Sequence, residues 1–227
     1  MTSGPWQTVY DRFNRRTKDG TRGRLLEALQ VRLDAPGRID GELFCIDGSS
    51  VRASRAAAGA SPTDGTAAEP TDHALGRSRG GFGSKIHLVC DGGGLPRAVT
   101  VTAGQRHEST QLEAVLGKVR VPRRVGRPRR RPRRVAGDKG SSYPRVRRYL
   151  RRRRIGAVIP TRKDRRPIPT FDKAASRRRD VVERCINWLK ERRRLATRFE
   201  KLAENFLAMV QLAMLERLLK ALLPDRA

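Results

Sequence analysis

Acidic residues are scarce in this chain, which sets 23 Asp and Glu against 51 Lys and Arg for a formal net charge of +28 over 227 residues. A charge this one-sided calls for a polyanionic partner, and nucleic acid is the first candidate. Long apolar runs are scarce as well, since Leu202 to Leu223, the most apolar segment, is interrupted by charged and amide side chains. It falls short of the roughly 18 continuous apolar residues that a membrane span needs. We therefore predict no membrane partner.

Cysteine is nearly absent, with three residues that lie far apart in the sequence. They form neither a disulfide framework nor the close pairs of a zinc site, and His73 and His87 have no partners at ligand spacing. The N-terminal segment MTSGPWQTVYDRF lacks the continuous apolar stretch of a signal peptide. These absences predict a cytoplasmic, nucleoid-associated protein without a zinc centre.

Apolar spacing predicts an α/β fold with one main domain. Two short helical patterns open the chain, and the buried strand ELFCIDGSS follows, with Asp47 near its C-terminal end. The runs SKIHLVCD and LPRAVTVTAG, joined by three glycines, predict a hairpin. A helix is predicted from Ser109 to Val119, capped by Ser109 or Thr110. Strands that come first and helices that come later suit a mixed α/β sandwich.

The second half of the chain continues the alternation of strands and helices. VAGDKG resembles a strand edge that carries Asp138, Tyr143 to Arg153 reads as a helix, and IGAVIP reads as a strand. Two further helices are predicted, one beginning near Arg177 and one from Leu202 to Leu222.

Helical geometry places Glu183 beside the buried face of its helix. At about 100° per residue, Val181 and Cys185 point the opposite way. Basic and amide residues surround the carboxylate: Arg179, Asn187, Lys190 and Arg194. One interpretation is a solvated helix face with i,i+4 ion pairs, and the other is a carboxylate held in a basic stripe for chemistry. Spacing alone does not distinguish them.

Four blocks of sequence resemble the DDE transposases of bacterial insertion sequences. The blocks are FCIDGSSVRA, the stretch from Ala74 to Thr110, VAGDKGSSY, and RRRDVVERCINWLKERRRLATRFEK. The resemblance implies a ribonuclease H-like mixed sheet flanked by helices, with short N-terminal helices and a helical C-terminal segment. On this interpretation residues 1–38 are part of an end-binding region, residues 39–210 form the DDE catalytic domain, and residues 211–227 form a helical tail.

The resemblance also implies a catalytic triad of Asp47, Asp138 and Glu183 that holds two Mg²⁺ or Mn²⁺ ions. Hard cations prefer oxygen ligands, so three carboxylates suit them. Two such ions about 4 Å apart can activate the attacking oxygen and stabilise the leaving one during DNA cleavage and strand transfer. Asp47 would bridge both ions, with Asp138 and Glu183 completing one site each.

Other candidates compete for a place at this site. Asp40 and Asp91 are interpreted as turn formers rather than metal ligands. His107, in the block GQRHEST, is interpreted either as a residue near the active site or as a capping histidine.

The family's terminal signature is a Tyr, an Arg, a Glu and a Lys at fixed spacing. Arg179, Glu183 and Lys190 fit it, and Ser176 stands at the Tyr position, a departure that would remove a DNA contact or weaken packing around the site. The resemblance implies that Arg179 and Lys190 hold DNA phosphates near the metals.

The segment from Arg120 to Arg134 contains nine arginines interrupted by prolines. An extended basic tract can follow phosphates without folding. We predict DNA contacts from Arg127, Arg129, Arg130, Arg131, Arg133 and Arg134. The alternatives are minor-groove recognition by Gly126-Arg127-Pro128 and a solvated linker without a DNA role.

Two functions follow from these patterns. The first is a DNA transposase that acts on terminal inverted repeats and target DNA in double-stranded form, as a dimer in the DNA complex. The resemblance implies a longer N-terminal helical region, so an N-terminal truncation and a partner from an upstream-frame transposase product are expected. The second is a catalytically inactive remnant that only binds DNA. A basic RNA-binding protein would explain the charge but not the ordered blocks.

Overall fold

The computed structural model describes residues 5–58, 72–120, 126, 131–162 and 171–223. Their strands form one mixed sheet: β1 (Leu43–Ala53), β2 (Gly76–Ser78), β3 (Gly81–Asp91), β4 (Pro96–Ala103), β5 (Arg134–Ala136), β6 (Gly156–Val158) and β7 (Thr197–Arg198). The main path runs β2-β3-β1-β5-β6, with β4 beside β3 and β7 beside β1. β1, β3 and β4 are antiparallel neighbours, whereas β5 and β7 run parallel to β1 and β6 runs parallel to β5.

Helices cover both faces of this sheet. They are α1 (Trp6–Lys18), α2 (Thr21–Asp34), α3 (Arg55–Ala58), α4 (Glu108–Gly117), α5 (Pro144–Arg152), α6 (Lys173–Arg177), α7 (Asp180–Lys190), α8 (Arg193–Ala196) and α9 (Ala203–Leu222), with a 3-10 turn at Lys139–Ser141. The order and pairing of the strands, with helices on both faces, is the predicted ribonuclease H-like α/β arrangement. No helix within the described ranges is long and apolar enough to cross a membrane.

β1 separates two hydrophobic cores because its side chains alternate between the faces of the sheet. Cys45 belongs to the core that α2, α7 and α9 complete with buried residues such as Leu33, Val182 and Phe206. Phe44 and Ile46 belong to the core that α4 and α5 complete. The near-continuous apolar run at the start of β1 therefore reflects a strand that is buried on both faces.

The predicted hairpin is confirmed as β3 and β4. Asp91 shapes its turn, since Oδ1 accepts hydrogen bonds from Gly93 N at 3.1 Å and from Leu95 N at 2.9 Å. Gly94 takes a φ of +83°, which the third glycine of the run permits without strain. The interpretation of Asp91 as a turn former is thus confirmed.

The predicted cap of the helix after β4 is wrong. The helix begins at Glu108, and His107 is its N-cap, because the His107 side chain accepts a hydrogen bond from Ser109 N. The ring of His107 also packs edge-on against Tyr143, with 5.4 Å between centroids. The capping interpretation of His107 is thus confirmed.

A fully buried arginine joins the end of the sheet to the start of α9. Arg198 donates from Nε to Glu200 O at 2.8 Å, from Nη1 to Ala74 O at 3.1 Å and Ser84 Oγ at 2.6 Å, and from Nη2 to Lys201 O at 2.7 Å. Burial lowers the pKa of Arg198 to about 10, so it keeps its charge at neutral pH. Its role is structural, because its donors are used inside the protein.

We expect Arg198→Met to lower the free energy of unfolding by on the order of 3 kcal/mol, since it leaves several buried acceptors without donors. Chemical denaturation of both proteins measures the difference. The control is Arg193→Met, which removes an exposed arginine of α8 and should cost less than about 0.5 kcal/mol. Equal losses in the two variants would contradict a special role for the buried guanidinium.

Candidate active site

Asp47 lies on β1 just past the point where β5 stops. The parallel pairing of β1 with β5 ends with Cys45 opposite Ala136, and β7 joins β1 only at Arg52. Asp47 Oδ1 accepts a hydrogen bond from Gly48 N at 2.9 Å. Burial raises the pKa of Asp47 above its usual value, and the negative charges of Asp138 and Glu183 contribute to the same shift.

Asp138 lies two residues after Ala136, the last residue of β5. Asp47 lies two residues after Cys45, the residue of β1 that pairs with Ala136. The shared register therefore brings the two carboxylates to the same end of the strand pair. Asp138 also caps the 3-10 turn, with Oδ1 accepting from Ser141 N at 2.9 Å and from Ser141 Oγ at 3.0 Å. These bonds fix the direction of the side chain.

Glu183 reaches the same region from α7, which packs on the Cys45 face of β1 through buried residues: Val182, Cys185, Ile186 and Leu189. The Arg179 guanidinium donates a hydrogen bond to Glu183 Oε1, and its Nη1 lies 3.6 Å from Asp47 Oδ2. The i,i+4 ion pair of the first interpretation exists, and its arginine also contacts Asp47. Arg179 links two of the three predicted triad residues.

Lys190, at the other end of α7, contacts the stretch of β1 that neither β5 nor β7 pairs with. Its Nζ donates to Ser50 O at 3.0 Å. Burial lowers the pKa of Lys190. Lys190 and Arg179 thus place positive charge on both sides of Glu183.

Glu108 is a fourth carboxylate in this region, which the sequence analysis did not select. It occupies the first turn of α4, and its Oε1 lies 3.7 Å from Lys85 Nζ. Burial raises the pKa of Glu108, and the negative charges of Asp138 and Asp47 add to the increase. The signal that could have found it is its position directly after the helix cap.

Residues 38–215 match a protein family that is described as "Transposase DDE domain". The chain belongs to the DDE transposase family. It is 36% identical over 148 residues to the protein of Burkholderia cepacia named as transposase for insertion sequence element IS402, and the match spans 65% of each chain.

The donor set of this transposase domain fits hard divalent cations, because the side chains that gather at the β1–β5 end are carboxylates. Within the described parts of the chain, no three acidic, His or Cys side chains lie close enough together to form a ready-made metal site. Arg179 lies between two of the carboxylates instead. A positive charge therefore already occupies the region in which cations would be held.

The remaining acidic and histidine candidates lie outside this group. Asp40 accepts from Glu42 N at 2.8 Å and pairs with Arg178 at 2.6 Å. His87 is buried, with its Nε2 at 2.8 Å from Thr102 Oγ1, and burial lowers its pKa to about 4. Its ring is therefore neutral at physiological pH.

Of the predicted DNA-binding arginines, Arg131 and Arg133 lie just before β5, and Arg134 is its first residue. Arg133 contacts Glu42 at 3.1 Å and Arg134 contacts Asp172 at 2.6 Å. Arg131 donates to Arg153 O at 2.7 Å. Three others lie outside the described residues: Arg127, Arg129 and Arg130.

Ser176, at the family's Tyr position, lies in α6 one turn before Arg179. Its carbonyl accepts a hydrogen bond from Arg179 N at 3.2 Å. The backbone at Ser176 therefore helps to position Arg179.

We expect Arg179→Gln to lower the free energy of unfolding by about 1 kcal/mol at pH 7, because Asp47 and Glu183 lose a shared cation. The loss should shrink as the pH falls, since the raised pKa of Asp47 makes this carboxyl one of the first to become neutral. Denaturation curves at several pH values measure both effects.

Arg184→Gln is the matched control, because Arg184 also forms an i,i+4 ion pair on α7, with the exposed Asp180 alone. Its effect should be near zero at every pH. A pH-independent loss in Arg179→Gln would mean that Arg179 stabilises the fold by packing and not by charge.

Proposed function

We propose that this chain is the catalytic part of a DNA transposase that cleaves insertion-sequence ends and transfers their strands. The observation that carries the proposal is the parallel register of β1 and β5. This register brings Asp47 and Asp138 to the same end of the two strands. Arg179 contacts both Asp47 and Glu183, and the chain belongs to the transposase family. Terminal inverted repeats and target DNA are the proposed substrates.

Asp47, Asp138 and Glu183 would hold two Mg²⁺ or Mn²⁺ ions, which supply activation of the attacking oxygen and stabilisation of the leaving one. Asp47 has the central position, because it is near Asp138 through the strand pairing and near Glu183 through Arg179. It is therefore the proposed shared ligand. Asp138 and Glu183 would each complete one ion's ligand set.

Arg179 and Lys190 have complementary parts in this proposal. Arg179 offsets part of the negative charge of Asp47 and Glu183, and it would be available to a DNA phosphate if divalent cations were held by these carboxylates. Lys190 holds α7 against β1 through Ser50 O, next to where the phosphate would lie. Both residues would bind DNA through charge and hydrogen bonds, without reading its sequence.

The net charge of +28 supports binding to double-stranded DNA. Joining two DNA ends favours a dimer in the DNA complex, and an upstream-frame product is the proposed additional partner for end recognition. The proposed location is the cytoplasm, in association with the nucleoid.

The decisive experiment is Mg²⁺- or Mn²⁺-dependent nicking and strand transfer on a plasmid that carries the DNA flanking this gene. We expect Glu183→Gln to reduce activity about 1000-fold, because a carboxylate of the triad is lost. Binding of DNA should persist, since it depends on the basic residues.

Asp180→Asn is the matched control on the same helix, because Asp180 is exposed and pairs with Arg184. It should keep full activity. Equal activity in the native chain and in Glu183→Gln would refute the triad. If the native chain binds DNA but does not cut it even when an upstream-frame product is supplied, the inactive DNA-binding remnant is the better description.

A second prediction concerns the basic segment. We expect the triple variant Arg131→Gln, Arg133→Gln, Arg134→Gln to bind all DNA sequences more weakly. The slope of log affinity against log salt should flatten by roughly 2 to 3, about 0.9 for each lost phosphate contact. Binding titrations at several salt concentrations measure the slope.

The control removes three exposed charges from α5, with Arg148→Gln, Arg151→Gln and Arg152→Gln. It lowers the net charge by the same amount at a different place. If the two triple variants have the same slope, the β5 arginines contribute only to overall charge, and the interpretation as a solvated linker is correct.

A further inference from the structure

The Glu108 side chain packs directly against Gly48, the residue that follows Asp47. A Cβ atom at position 48 would lie 2.6 Å from Glu108 Cγ and 2.9 Å from Glu108 Oε1. Gly48 is not among the residues with a positive φ, so its backbone conformation does not require glycine. Glycine at position 48 therefore leaves room for the Glu108 side chain, which a Cβ atom there would displace.

The position of Glu108 is set by several independent contacts. His107 caps α4, and buried Leu112, Val115 and Leu116 fix the helix on the Phe44 face of the sheet. α4 also packs against the 3-10 turn that Asp138 caps. The carboxylate is thus held between β1 and Asp138 by a packed helix.

The sheet has an opening at this point. Between the pairing with β5, which ends at Cys45, and the pairing with β7, which begins at Arg52, no described strand lies on that side of β1. Asp47 belongs to the α7 face and Gly48 to the α4 face, because neighbouring strand residues alternate. Carboxylates from both faces can therefore approach one point in the opening.

From this arrangement we propose that Glu108 is a fourth carboxylate of the metal site, supplying an oxygen ligand to the ion held by Asp47 and Asp138. The inference rests on the proposed function. Lys85 is the counter-ion of Glu108 before the metal binds, as Arg179 is for Asp47 and Glu183. The expected ligand is a hard divalent cation, because all the donors are carboxylate oxygens.

The test is a titration of the full chain with Mn²⁺ in the absence of DNA. The electron paramagnetic resonance signal of free Mn²⁺ measures how much of the ion is bound. Two ions would bind in two steps of different affinity. We expect Glu108→Gln to lower the Mn²⁺ affinity of the tighter step about 10-fold to 100-fold, the range seen when a group that supports a metal site is removed. Glu108→Asp keeps a carboxylate and should recover part of the affinity.

Glu113→Gln is the matched control, because Glu113 lies on the same helix and its side chain is 29% exposed against 26% for Glu108. It also pairs with a single cation, Arg145, at 2.9 Å. Its Mn²⁺ affinity should equal that of the native chain. An ordinary role for Glu108 in stabilising the helix terminus or pairing with Lys85 would leave Mn²⁺ binding unchanged.

Gly48→Ala provides a second variant, which displaces Glu108 and keeps all the carboxylates. It should weaken Mn²⁺ binding as Glu108→Gln does, and the double variant should be no weaker than either single one. If Glu108→Gln and Glu113→Gln bind Mn²⁺ equally while Asp138→Asn binds it weakly, this inference is overturned and the proposed triad stands. If the native chain binds Mn²⁺ no better than Asp138→Asn, both are overturned.

Discussion

The parallel hydrogen bonding between β1 and β5 is the interaction on which the rest of the structure depends. It joins two segments that are distant in sequence, and its register sets Asp47 and Asp138 side by side. Because β5 is short, it leaves the following part of β1 open, and the carboxylates gather there. The two hydrophobic cores on either face of β1 hold α7 and α4 against this opening. Position in the sheet, and not proximity in the chain, assembles the site.

Several carboxylates at one place repel one another, and burial makes the repulsion more costly. In this chain the cost is offset by cations that contact the same groups. Arg179 contacts Asp47 and Glu183, while Lys85 lies beside Glu108. The raised pKa values of Asp47 and Glu108 show that burial and mutual repulsion still outweigh this compensation. Exchange of these protein cations for divalent ones is the change that we propose for this site.

The strong positive charge of the chain has more than one use. Arg198 is fully buried and bonds to backbone carbonyls, so it cannot contact DNA. Arg97 lies 3.8 Å from Asp91 in the interior, with both side chains completely buried. A count of arginines therefore overestimates the surface that is available to DNA, and only the described contacts separate structural charges from free ones.

The short strands β2 and β7 were not predicted. The sequence alone did predict the other five described strands, the long helices, the hairpin and the family, because apolar period and ordered motifs are local properties of the chain. It also placed Glu183 beside the buried face of its helix. The start of α4 was mistaken by one residue, since capping by His107 depends on side-chain geometry that a pattern of Ser and Thr does not reveal, and Glu108 was missed with it. The proximity of Glu108, Gly48 and Lys85 to Asp47 became visible only in the folded chain. Such contacts arise from the register of distant strands and the packing of helices on opposite faces, which spacing along one segment cannot encode.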